Sequence, residues 1–85
     1  MINLNKNLLD LDGKEIENAN IGKIVAQTLV QNPKGDALKI WHIAGKLHKG
    51  EELELDKSDE EMLKNLIKES ETLTILTKAQ ALECF

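Results

Sequence analysis

Apolar and polar residues alternate at the start of the chain. Asn3 separates Ile2 from Leu4 and Asp10 separates Leu9 from Leu11, with Asn5 and Asp12 continuing the two runs and Leu8 interrupting the second. A period of two is that of an extended strand with one covered face. Asp12-Gly13 lies against these runs, and both central positions of a tight hairpin turn favour positive φ, which Asp and Gly supply. Residues 2–16 therefore predict a short β-hairpin.

Near residue 20 the period becomes helical. Ile21, Ile24, Val25 and Leu29 are spaced by three and four, with Asn18 or Asn20 placed to cap the first turn. Asn32-Pro33 ends this helix, because a residue before proline avoids the helical region, and Lys34-Gly35 is the link. Asp36 caps a second helix over residues 37–49, and Gly50 supplies its left-handed stop. Residues 51–56 alternate again and place Leu53 and Leu55 on one side, as an added strand beside the hairpin would. Ser58 opens Ser-Asp-Glu-Glu, a capping box closed by Glu61, and the helix behind it carries Met62, Leu63, Leu66 and Ile67 on one face. Residues 73–77 are strand-like in composition. However, Ile75, Leu76, Ala79 and Leu82 keep helical spacing and residues 78–83 are rich in helix formers, which favours a fourth helix. The expected fold is mainly α (α+β), with four short helices, a small N-terminal β-hairpin and one possible added strand. Residues 1–85 form a single domain, since a chain of this length is too short to build two cores.

Composition sharpens this picture. The chain is 41% hydrophobic and 31% charged, which is the balance of a folded domain. Trp41 and Phe85 are the only aromatic residues, so the core is aliphatic. Trp41, among Ala37, Ile40 and Ala44, reads as core, with a partner-binding anchor as the alternative. No stretch approaches the roughly 20 apolar residues of a membrane span, and the N-terminus lacks the basic head and apolar run of a signal peptide. Cys84 is the single cysteine. These features predict a soluble protein of a reducing, cytoplasmic compartment.

Candidate chemistry is sparse. Leu8-Leu9-Asp10-Leu11-Asp12-Gly13 resembles the first motif of haloacid-dehalogenase-type phosphatases, in which an apolar strand ends in two aspartates, one a nucleophile and one an acid/base. Lys14 departs from that motif, and 85 residues cannot build the doubly wound sheet it needs. The same residues fail as a calcium loop, because the position that needs a closing Glu is Ile21. His42 and His48 diverge on a helix by well over a right angle, so one chain cannot bring them to one metal. Cys84 has no basic neighbour in sequence to activate it. The sequence thus offers no catalytic, cofactor-binding or metal-binding residue, and an enzyme is the least favoured reading.

Charge is more informative. Residues 20–50 hold five Lys against Asp36 alone, whereas residues 51–85 hold four Lys and ten acids, within a net charge of −4. On the second helix Lys39, His42, Lys46 and Lys49 fall within an arc of about 80°, a basic stripe that is the candidate partner-binding site. All eleven basic residues are Lys, and Arg is the commonest reader of guanine edges and the preferred clamp for phosphate. Nucleic acid is therefore possible but disfavoured as a partner.

Four phrases carry a family likeness: Leu-Leu-Asp-Leu-Asp-Gly-Lys at 8–14, Lys-Gly-Asp-Ala-Leu-Lys at 34–39, Leu-Asp-Lys-Ser-Asp at 55–59, and Leu-Thr-Ile-Leu-Thr-Lys-Ala-Gln-Ala-Leu-Glu at 73–83. In these the chain resembles small phage and prophage proteins of uncharacterised function. The resemblance implies a phage setting in a host-cell cytoplasm and transfers no catalytic residue. The expected function is that of a non-enzymatic protein working through protein–protein contact or self-association, with a weak nucleic-acid-binding or regulatory role for the stripe as the alternative.

Overall fold

The computed structural model describes residues 2–31 and 35–85. In chain order it holds β1 (Asn7–Leu9), β2 (Glu15–Asn20), α1 (Ile21–Gln31), α2 (Ala37–Lys49), α3 (Lys57–Glu69) and α4 (Ile75–Glu83). The fold is mainly α with a small antiparallel N-terminal hairpin, as the hydrophobic periods require. The helix stop at Asn32-Pro33 and the first half of the Lys34-Gly35 link lie outside the described residues.

The hairpin closes through a five-residue loop, 10–14, rather than the two-residue turn its Asp-Gly pair suggests. Asp10 organises it. Its Oδ1 accepts from the Asp12 and Lys14 amides at 2.9 and 3.0 Å, and its carbonyl accepts from Gly13 N–H at 3.0 Å. Gly13 sits at φ 83°, where a Cβ is costly. Leu11 is thereby displaced from the expected strand to the loop apex. The register slips between Asn7↔Asn20 and Leu9↔Glu15, and Asn18, at φ 60°, stands within the slip. Asn tolerates this left-handed region better than most residues, so Asn18 shapes the bulge and leaves the capping to Asn20. The Asn20 Oδ1 accepts from Lys23 N–H at 3.0 Å, while its Nδ2 donates to Asn5 Oδ1 at 3.0 Å.

Residues 2–6 run as a strap rather than as a strand of the hairpin. The carbonyls of Lys6 and Leu4 accept from the first amides of α1, Ile21 at 2.8 Å and Gly22 at 2.9 Å. Ile2 exchanges two backbone hydrogen bonds with Leu53, at 3.0 and 2.7 Å. The expected added strand is therefore a single bridge against the strap, not a neighbour of the hairpin.

Helix α2 begins and ends as its caps dictate: Asp36 accepts from Lys39 N–H, and Gly50 turns left-handed at φ 78° with its N–H on the Leu47 carbonyl. Helix α3 starts two residues earlier than expected. Its cap is Asp56, which accepts from Asp59 N–H at 2.7 Å, and Ser58 lies exposed inside the first turn, so the Ser58–Glu61 capping box does not form. Thr74 caps α4, settling residues 75–83 as helix. Leu4, Val25, Leu47, Leu53, Leu63 and Ile67 form the fully buried centre, drawn from the strap, all of the first three helices and the bridge residue. Gln80 on α4 grips β1 through a paired amide contact: its Nε2 donates to the Leu9 carbonyl at 2.7 Å and its Oε1 accepts from Leu9 N–H at 2.8 Å.

Candidate functional site

The site is built on α2, whose surface divides into three sectors. Ile40, Ile43, Ala44 and Leu47 are buried against the core. With Ile40 as origin, a rotation of about 100° per residue places His48, Trp41, Gly45 and Leu38 between about 80° and 160° around the helix. Lys49, His42, Lys46 and Lys39 follow between about 180° and 260°. Apart from His48 the middle sector is apolar, yet it is uncovered, with Trp41 66% exposed and Leu38 73% exposed. The expectation that Trp41 is core is therefore wrong. Ile40 and Ala44 beside it are buried, but its own direction is turned about 100° from Ile40, toward the helix flank.

On that flank α1 and α2 leave an open groove of about 240 Å³, lined by Ala26, Gln27, Val30, Trp41, Ala44 and Gly45, with His48 and Lys49 at its rim. Gly45 makes the space. A Cβ placed there would meet nothing within 4 Å, so the absent side chain leaves the helix surface open beside the Trp41 ring. Val30, also exposed, supplies the opposite wall from α1. Sequence reading missed Val30 and Gly45. The legible signal was a glycine inside an otherwise well-formed helix, which costs about 1 kcal/mol relative to alanine and so asks for a reason.

The basic stripe is present as a face but is not uniform. Lys39 Nζ donates to Asp59 Oδ1 at 2.8 Å, tying α2 to α3, and this hydrogen bond with the Asp59 charge raises the Lys39 pKa above its ordinary value. His42, Lys46 and Lys49 are exposed, and the ion pairs found among the described residues, Lys39–Asp59 and Lys64–Glu60, do not involve them. His48 belongs to the groove and His42 to the basic face, so the two imidazoles point apart. Cys84 donates its thiol to the Gln80 carbonyl at 3.3 Å, and burial pushes its pKa up, which is the reverse of nucleophile activation. Among the described residues no three His, Cys, Asp or Glu side chains gather as a metal site, and no helix is long and apolar enough to cross a membrane.

Compared with protein-family models, with curated proteins and with solved structures, the chain matches none.

Proposed function

We propose that this protein is a non-enzymatic contact module of phage or prophage origin that works in the host-cell cytoplasm by docking its α1–α2 face on protein. The surface it fits offers apolar side chains among carboxylates. The observation that carries this reading is Trp41, two-thirds exposed beside an apolar groove. Tryptophan is enriched among the residues that dominate interface energies, because a rigid ring covers much area at small entropic cost. Lys49 at the rim adds preference for a negatively charged partner. The phage setting rests on the four phrases at 8–14, 34–39, 55–59 and 73–83.

The test uses Trp41 as reporter. A synthetic amphipathic helix with leucines at i, i+3, i+4 and i+7 over glutamates is titrated into the protein. The emission of Trp41 should shift to the blue and its quenching by iodide should fall, whereas a lysine-bearing peptide of the same leucine spacing should leave both unchanged. Equal response to both peptides, or to neither, removes the support for the docking reading.

The exposure of His42, Lys46 and Lys49 favours nucleic-acid binding as the second reading. With Lys39 committed to Asp59, two phosphate contacts would remain and the log–log salt slope would be about −1.8. We expect no DNA or RNA binding at about 150 mM salt, where nonspecific affinity of so few contacts is weak. Salt-dependent binding that disappears in a Lys46→Glu/Lys49→Glu variant, with helical content unchanged, would replace the first reading with the second.

A further inference from the structure

The chain carries its own candidate occupant for the groove. Leu11, at the apex of the 10–14 loop, is 99% exposed, so it touches nothing in its own protomer. It stands between Asp10 and Asp12, both exposed, on a loop ordered by the Asp10 hydrogen bonds. A lone aliphatic side chain between two exposed carboxylates complements an apolar groove that has Lys49 in its lining. The sizes agree, since an apolar cavity of about 150 Å³ holds benzene and the groove offers about 240 Å³. Order matters as well, because a tip that is already ordered loses little entropy on seating.

We propose that the groove binds the hairpin tip of a second copy, with Leu11 of one protomer seated against Trp41 and Val30 of its partner and Asp10 and Asp12 beside His48 and Lys49. This rests on the docking reading of the α1–α2 face and names its occupant. Each copy has one tip and one groove. The contact is therefore reciprocal, closing a two-fold pair, or serial, adding copies head to tail. One seated tip buries far less than the roughly 1,000 Å² of a stable interface, so the association is weak, with a dissociation constant of about 0.1 to 1 mM.

The experiment is sedimentation equilibrium to about 1 mM chain, with iodide quenching of Trp41 followed in parallel. Wild type should associate and shield Trp41 as it does so. Two variants disable opposite halves of the contact. Leu11→Ser removes the knob and keeps the charges of the tip. Gly45→Glu fills the groove and sets a carboxylate against the tip, and the open space at Gly45 lets it fold. Each alone should weaken association by at least about tenfold. An equimolar mixture should associate more tightly than either variant by itself, because an intact tip then meets an intact groove. A wild type that stays monomeric, an association indifferent to both variants, or a mixture that behaves as the average of its parts overturns the proposal. A monomeric wild type whose Trp41 still responds to the acidic peptide overturns this inference while leaving the docking reading standing.

Discussion

At the residue scale, the start of α3 shows how two local signals compete. Asp56 and Ser58 both precede an acidic residue three positions on, and only Asp56 accepts from the amide of its third neighbour, Asp59. Asp59 stands in the first turn, where its carboxylate also reaches Lys39. Asp56→Ala should therefore cost about 1 kcal/mol, which lowers the midpoint of thermal unfolding by about 4–8 °C in a domain of this size. Ser58→Ala, at an exposed helical position with no capping bond, should leave the midpoint nearly unchanged. Trp41 gives the complementary lesson. Its residue type and neighbours suggest burial, and only its angular position reports exposure. Sequence composition weighs the first and blurs the second, because a helix flank is decided by which side the next element covers.

At the scale of elements, helices with local caps were legible. Asp36, Gly50 and the period of α2 depend on residues a few positions apart, and the observed bounds follow them. What depended on distant chain was not legible. The strap that receives the first amides of α1, the bridge between Ile2 and Leu53 and the Gln80 grip on Leu9 join segments no short-range pattern connects. The groove belongs to the same class, since neither α1 nor α2 holds it alone. Two glycines test the packing of this helix pair. A Cβ on Gly22 would come within 3.0 Å of the Leu47 carbonyl oxygen and 3.2 Å of the Leu4 carbonyl oxygen, both backbone atoms. Gly22→Ala should destabilise by about 1–3 kcal/mol as α1 is pushed off its seat. Gly45→Ala meets open space within a helix and should stabilise by about 1 kcal/mol. Urea denaturation of the two variants checks both signs, and equal effects would contradict the close approach at Gly22.

At the scale of the whole molecule, an aliphatic interior has Phe85 packed at its edge and leaves Trp41 outside. The buried cluster contains no aromatic residue, while the single tryptophan faces solvent. Native and unfolded chains should accordingly differ little in tryptophan emission at micromolar concentration, while far-ultraviolet circular dichroism shows the full loss of helix. A large red shift on unfolding of the dilute protein would contradict the exposure of Trp41. The Gln80–Leu9 grip has a consequence of another kind, for the order of events during synthesis. It joins residues 71 positions apart, so the hairpin is made early and its outer edge is held only when the last helix exists. At 5–20 residues per second, about 4–14 s pass between translation of Leu9 and translation of Gln80. A nascent chain thus carries β1 paired with β2 but with its outer edge unheld, until Gln80 of α4 reaches Leu9.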